Sequence, residues 1–538
     1  MGNATRRTYG HILKWTSFFG GIQIFSLLAS LARNKIAAVL LGPMGLGFIS
    51  LYNAAIKLLN ESTNFGISFS AVRTVAEYAD GSDDARLLSA VQTIRLWSVA
   101  TALFGVVVCC LLSPFLSMIY FETPAEWGRF LLLSPIVFLL AVTGGELAIL
   151  KGMRRLRQIA MQSVVNACAC IFVTVPFFYL WGLDGIIQAL IAVSVTTAIT
   201  VLWFSFNLFP YRFSSPLRRV FHDGFGMLRM GVAFVFAGIL GAGTEFVVRA
   251  FIMQIGSVAD VGLYNAGYVI TVTYASVIFT SMESDYFPRL SAVNRHKIKA
   301  NDTVNRQIEV LMLLLSPLLS AFLLLLPIVL PLLYSTDFLV VTDMVRFGIL
   351  SMMLRAIMLP MEYLSLAKGR SKVYLITEAF YDIAMVSAVT IGYYLEGLTG
   401  AGVGLLVASG LGLVFDCCVC KCFYRFFIDK SAIKIICIQF LMIIATYCVV
   451  VFSHGVCYWV FGGLCFLLSA IVSYCIFRRT NDTGGGGGGG AGGGGGGGGG
   501  LGVWCVCRVC LAFWCSSFFS IKIHTPPPPP PPYSLINY

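Results

Sequence analysis

The chain has 538 residues, 58% hydrophobic and only 12% charged, with a formal net charge of +12 and a mean hydropathy of +0.85. That much apolar surface exceeds what a soluble core buries and is what helices in hydrocarbon require, which excludes a soluble enzyme or binding module. The cations fall between the apolar runs, so the positive balance is topological and gives no reason to expect nucleic acid as a partner.

A membrane-crossing helix takes about 20 apolar residues at ~1.5 Å each. In chain order the apolar runs predict about fourteen, at 15–41, 45–70, 87–113, 130–150, 159–181, 185–209 and 226–255, then 262–287, 307–333, 345–367, 373–395, 400–423, 433–453 and 456–477. The fold class is therefore all-α, a polytopic membrane protein. One set of loops carries Lys151/Arg154/Arg155/Arg157, Arg212/Arg218/Arg219/Arg229, Arg289/Arg295/Lys297/Lys299/Arg306, Lys368/Arg370/Lys372 and Lys421/Arg425/Lys430/Lys434. The opposite set holds Glu122, Glu126, Asp184, Asp260, Asp337, Asp343 and Glu396, with Arg129 its only cation. Cationic loops remain in the cytoplasm, which predicts that the N-terminus and the end of the fourteenth helix are cytoplasmic. The first span is too long for a signal-peptide core, so no cleavable signal is expected. The seventeen cysteines lie mostly inside spans and are expected to act as small apolar residues.

The chain repeats itself. Leu51-Tyr52-Asn53-Ala54 recurs as Leu263-Tyr264-Asn265-Ala266, and Lys35 and Arg249 each lie seven residues before the glycine that ends their helix. Arg129-Phe130, Ser134 and Lys151-Gly152 match Arg346-Phe347, Ser351 and Lys368-Gly369 at a constant offset of 217. Tyr179-Leu180-x-Gly182-Leu183-x-Gly185 matches Tyr394-Leu395-x-Gly397-Leu398-x-Gly400 at 215. Two homologous six-helix lobes follow, plus two extra C-terminal helices. The expected division is a cytoplasmic N-terminus (1–14), an N-terminal lobe (15–209), a cytoplasmic linker (210–225), a C-terminal lobe (226–427), two further helices (428–479) and a tail (480–538). Transporters built from parallel repeats bind substrate between the halves and rock one against the other. In the tail, sixteen glycines interrupted by Ala491, a cysteine-rich stretch and seven prolines form no packed core.

Charges inside spans usually face a cavity. Helix 2 places Asn53, Lys57, Asn60, Glu61, Asn64 and Ser68 on one face, opposed in the repeat by Asn265, Thr273, Ser276 and Thr280. On helix 1, Gln23, Ser26, Ser30 and Arg33 share a face, while Lys35 points elsewhere, toward the outer interface. The repeat aligns Lys35 with Arg249, whereas helical phase favours Arg33 as the cavity cation. Glu245 and Arg249 have the i,i+4 geometry of an ion pair, which is either mutual neutralisation or part of a site. Arg355 and Glu362 share a face of helix 10. Glu378 and Asp382, one turn apart on helix 11, take the repeat positions of Gln162 and Asn166. The two acids either share a proton or cation or lie solvated at the cytoplasmic mouth.

The segment Arg33-Asn-Lys-Ile-Ala-Ala-Val-Leu-Leu-Gly-Pro-Met-Gly-Leu-Gly-Phe-Ile-Ser-Leu-Tyr-Asn-Ala54, the polar second helix and the Lys151-Gly152 basic loop resemble the Wzx-type O-antigen flippases. These belong to the multidrug/oligosaccharidyl-lipid/polysaccharide exporter superfamily, which includes the lipid II flippases. The resemblance covers about residues 15–479. It implies a flippase, not an enzyme, that moves an undecaprenyl-pyrophosphate-linked oligosaccharide from the cytoplasmic to the periplasmic leaflet of the bacterial inner membrane by alternating access. It also implies Na⁺ or H⁺ as the coupling ion. No other cofactor and no metal ligand is expected, and a polysaccharide polymerase and chain-length regulator join membrane lipids as expected partners. Arg33, Lys57, Arg249 and Arg355 are the expected pyrophosphate contacts, and Asn53, Asn60 and Asn64 the expected sugar contacts. Lys35 and Glu61 complete the substrate set, while Glu245, Glu378 and Asp382 are the expected cation-coupling residues. The chain holds no Gly-Lys-Ser/Thr, which argues against ATP hydrolysis in cis. Two alternatives are a multidrug-type cation antiporter, whose cavity would be acidic and aromatic, and a polytopic polymerase or glycosyltransferase. The latter needs catalytic residues in sizeable periplasmic loops, and the longest expected here, 114–129, has sixteen residues and no histidine.

Overall fold

The computed structural model describes residues 2–79, 84–121, 123–210 and 217–484, with most of their side chains from Phe25 onward. Glu122, Arg212, the side chains of Gln23, Thr273, Ser276 and Thr280, and the tail from 485 onward lie outside what it describes. Among the described residues every regular element is a helix.

The first helix, α1 (Gly2–Thr63), consists of two arms joined at Gly42, whose φ of 65° is open to a residue without Cβ. Pro43 follows, with its fixed φ preorganised to start the second arm. Next come α2 (Ile67–Ala79), α3 (Asp84–Phe121), the short α4 (Trp127–Leu131), α5 (Ser134–Gly152), α6 (Leu156–Trp181) and α7 (Gly185–Phe206). The second half of the chain supplies α8 (Leu217–Ile255), α9 (Val258–Tyr268), a π-helical turn at Val269–Thr273, α10 (Tyr274–Val293), α11 (Lys297–Leu333) and α12 (Thr342–Ala367). It continues with α13 (Ser371–Tyr424), again two arms, broken at Glu396 and Gly397, then α14 (Lys430–Phe452) and α15 (Val456–Gly484).

Among the described residues ten helices are long and apolar enough to cross a membrane. Three of the ten contain a break where the sequence separates two spans: Leu28–Thr63 at Gly42, Arg157–Phe206 at Gly182 and Ser371–Tyr424 at Gly397. Two expected spans differ in form. The one expected at 45–70 ends at Thr63, because Phe65 and Gly66 both take positive φ, and the chain restarts as α2. The one expected at 262–287 is interrupted by the π turn, which falls on the β-branched run Val269-Ile270-Thr271-Val272-Thr273.

Residues to 478 form one compact unit. In it α3, α5, α6 and α7 pack around α1, while α11, α12, α13 and α14 pack on one another. The halves meet where α1 lies against α8 and α9, and α8 also packs on α13. Two glycines make the α1–α9 seam close. A Cβ on Gly47 would sit on the Val258 carbonyl and 2.8 Å from Val258 Cγ1, and one on Gly262 would lie 2.7 Å from the Gly47 nitrogen. Gly47→Val is therefore expected to part the seam and destabilise the protein by about 1–3 kcal/mol. Thermal unfolding in detergent reads this, and an unchanged midpoint would show that the seam has room to spare.

Candidate functional site

Where α1 meets α8, α12 and α13 there is a cavity of about 280 Å³ lined by charged groups from both halves of the chain. Its charged lining is Lys57 and Glu61 from α1, Glu245 from α8, Arg355 from α12, and Glu378 and Asp382 from α13. The Lys57 ammonium reaches Glu245 Oε1 at 2.9 Å, linking the halves. The other Glu245 oxygen lies 3.6 Å from Arg249. Arg249 is buried and fully engaged. It donates to Ser50 Oγ (2.7 Å) and Asn265 Oδ1 (3.1 Å), and its guanidinium lies 5.6 Å from the Tyr268 ring. Arg355 stacks over Tyr381, 4.5 Å from the ring centre, and donates to a tyrosine hydroxyl at 3.1 Å, that of the same Tyr381. Asp382 lies beside the Thr244 hydroxyl of α8.

The structure thus brings together seven of the residues singled out in the sequence: Lys57, Glu61, Glu245, Arg249, Arg355, Glu378 and Asp382. It disposes the others elsewhere. Asn53 is exposed and Asn60 is half-buried, its Oδ1 without a partner among the described residues. Asn64 donates to Ser68 Oγ (3.0 Å), and both face Gly144 of α5, inside the first half of the chain. Lys35 turns away from the cavity and donates to the Pro331 carbonyl (2.6 Å) and the Tyr334 carbonyl, at the C-terminus of α11. Cations are favoured there because the last carbonyls of a helix are unpaired and its dipole is negative. Arg33 lines a second cavity, of about 360 Å³, between α1 and α6. The two cavities share no lining residue.

The charge balance of the central cavity differs from the cation-rich site expected of the sequence. Two lining cations, Lys57 and Arg355, face four carboxylates, Glu61, Glu245, Glu378 and Asp382. Deeper in the second half, Glu362 of α12 and Asp416 of α13 face each other carboxyl to carboxyl, and Asp416 Oδ2 is buried without a donor among the described residues. Asp416 is the lone acid in an apolar run, a signal masked by the neighbouring cysteines. Of those, Cys420 is buried against the Met361 carbonyl, and Cys418 and Cys422 are exposed. Among the described residues no group of three or more His, Cys, Asp or Glu is placed to hold a metal ion. A second buried group also escaped the sequence: Arg95 of α3 pairs with Glu146 of α5 at 2.8 Å.

The polysaccharide biosynthesis protein family matches the chain over residues 12–294. No curated protein matches it. Among solved structures, the lipid II flippase MurJ in an inward closed conformation is similar at a TM-score of 0.65 and 13% identity, covering 86% of this chain and 99% of that one. An inward-facing multidrug resistance MATE family transporter of the MOP superfamily gives 0.60 at 16% identity, covering 78% and 98%. The Vibrio cholerae MATE transporter VcmN gives 0.54 at 15%, again covering 78% and 98%. Identities this low speak for a common fold alone. Family and fold together bear out the resemblance carried by the Arg33–Ala54 segment.

Proposed function

The chain belongs to the polysaccharide biosynthesis protein family, and from that premise we propose that it is a flippase for a polyprenyl-pyrophosphate-linked oligosaccharide. Family and fold are those of flippases and transporters of the exporter superfamily. The finer reading takes the substrate to be a surface-polysaccharide repeat unit, such as that of an O-antigen, moved outward across the bacterial inner membrane. A polymerase and chain-length regulator would receive it.

The observation that carries this reading is the central cavity, where Lys57 and Glu245 pair across the two halves of the chain at 2.9 Å. A link of this kind can be made in one arrangement of the halves and broken in the other, which alternating access requires. The excess of carboxylates suits a coupling cation, Na⁺ or H⁺, at Glu245, Glu378 and Asp382. Arg355 and Lys57 supply the positive groups that a charged head group needs in a dry cavity. The seam of α1 against α9, with Lys35 on α11, would be the outer seal of this conformer.

Lys57→Glu is expected to abolish export of lipid-linked sugar while leaving the protein in the membrane, because it sets two carboxylates against each other where a pair now stands. Lys57→Arg should retain partial export. Lys57→Glu combined with Glu245→Lys should restore some of what the single change loses. Normal export by Lys57→Glu would remove the cavity from the transport path.

One observation favours a second reading. The cavity is acid-rich and presents Tyr268 and Tyr381, the lining expected of a multidrug-type cation antiporter. Proteoliposomes separate the two: uptake of a cationic dye driven by an ion gradient, with no movement of a polyprenyl-linked sugar, would favour antiport.

A further inference from the structure

Taking the lipid-linked glycan of the flippase reading as substrate, we propose that the central cavity selects its sugar by charge. A sugar bearing an ammonium group is accepted and a uronic acid is refused, with Glu61 as the deciding side chain. Asn53, Asn60 and Asn64, the sugar contacts expected of the sequence, do not line this cavity. Its volume, about 280 Å³, lies near the lower bound of ligand pockets, about 300 Å³, and suits one sugar residue better than a repeat unit. On the α8 side, a Cβ on Gly241 would meet nothing within 4 Å, so open space lies directly over that glycine. One turn earlier, a Cβ on Gly238 would lie 2.7 Å from Glu61 Oε2. Residues three apart share a helix face, so the Glu61 carboxylate borders the open part of the cavity. Tyr268 and Tyr381 add aromatic walls.

The other charged groups of the lining are already engaged. Lys57 pairs with Glu245 at 2.9 Å, and Arg249 lies 3.6 Å from the same carboxylate. Arg355 stacks on Tyr381 and donates to its hydroxyl. On α13, Asp382 has the Thr244 hydroxyl and Glu378 the Tyr374 hydroxyl, and this is the pair to which the coupling cation falls. Of the four lining carboxylates, Glu61 alone has neither a cation nor a hydrogen-bond donor among the described residues. It is half-buried, and the Lys57 side chain one turn before it is 49% exposed, so the cavity can be entered there. An ammonium supplies three donors and a charge, and its hydrogen bond to a carboxylate is about twice as strong as a neutral one. A neutral sugar offers hydroxyls that donate without charge. A uronate brings only acceptors, against a carboxylate with no cation left to part them, and like charges set together are costly. The pyrophosphate sharpens the preference, because whatever it draws from Lys57 or Arg355 no longer balances the acids.

Three sugars linked to farnesyl pyrophosphate serve as probes: glucose, the same ring with aminomethyl in place of hydroxymethyl, and glucuronic acid. Titrated into the full-length protein in detergent, the amine should bind about tenfold tighter than glucose and the acid about tenfold more weakly. Glu61→Gln should cut the amine-to-acid ratio from about 100-fold to below about tenfold. Part of that change should come from tighter binding of the acid, a gain that general damage to the protein would not produce. Gly241→Leu should weaken the three sugars more than it weakens farnesyl pyrophosphate itself, because the new side chain fills the space assigned to the ring. Equal affinity for the three sugars, or tightest binding of the acid, overturns the proposal. So does an unchanged ratio in a folded Glu61→Gln protein. Should that variant not fold, the wild-type order and Gly241→Leu still decide. Binding in the expected order, with no flipping of any probe in proteoliposomes, would count against the flippase reading and leave the selection standing. Flipping of all three with equal affinity would do the reverse.

Discussion

Replacing Glu378 by Gln and Asp382 by Asn together is expected to stop multi-turnover flipping in liposomes while the protein still binds its lipid-linked ligand. The two side chains line the central cavity with Arg355 and Glu245, and Asp382 sits beside Thr244. Their removal takes the charged lining from two cations against four carboxylates to two against two. A cation site built on these acids acts on resetting: it shifts the balance between the two arrangements only through unequal affinity for them. Turnover should therefore fall by at least about tenfold, since losing even 1.4 kcal/mol of differential cation binding shifts the balance that far. Ligand affinity in detergent should stay within about twofold, because the amides keep the shape and some of the hydrogen bonds. Imposed Na⁺ and pH gradients identify the ion. Wild-type flipping that ignores both gradients, or a double variant that responds as wild type does, would leave the pair with no coupling role.

Glu146→Ala is expected to be among the most destabilising single changes in the described part of the chain. Glu146 and Arg95 are each about 3% exposed and meet at 2.8 Å, with a second contact from Arg95 Nη2 to Glu146 Oε2 at 3.2 Å. Ser205 of α7 donates to the same Oε2, and the Arg95 guanidinium lies 5.0 Å from the Phe206 ring. Three helices, α3, α5 and α7, are tied at one buried point. Removing the carboxylate breaks a buried ion pair from one side, which typically costs about 3–5 kcal/mol. Replacing both partners with apolar residues of similar size, Arg95→Met with Glu146→Leu, should recover most of that loss, since the pair's own desolvation cost disappears with it. Unfolding in detergent and the amount of protein in the membrane are the readouts. A Glu146→Ala midpoint within about 2 °C of wild type would show that the pair carries no such weight, because 1 kcal/mol alone moves a domain of 150–250 residues by about that much.

Much of the candidate site was legible in the sequence. Lys57, Glu61, Glu245, Arg355, Glu378 and Asp382 stand out as charges inside apolar runs, and all six line one cavity. The Glu245–Arg249 pair was legible too, because i,i+4 spacing is a property of one helix. What spacing leaves open is which neighbour a helix face meets. Arg33 and Lys35 are two residues apart on one helix, yet Arg33 faces α6 and Lys35 reaches the end of α11. Asn64 continues the polar stripe of Lys57 and Glu61 but faces α5. Arg95 and Glu146 are 51 residues apart, and no local pattern joins them.

The sequence by itself determined the all-α membrane class, the repeat and the breaks at Gly42, Gly182 and Gly397. Those follow from hydropathy over some twenty residues and from a positive φ open to glycine, both properties of a short stretch of chain. Only the tertiary structure decided that the central cavity holds more acid than base, that Lys35 caps a helix rather than lining the cavity, and that Arg33 has a cleft of its own. Apolar periodicity says that a polar face turns from lipid. In a bundle, that face can meet a cavity, a helix end or another buried polar face. Packing between segments far apart in sequence selects among them.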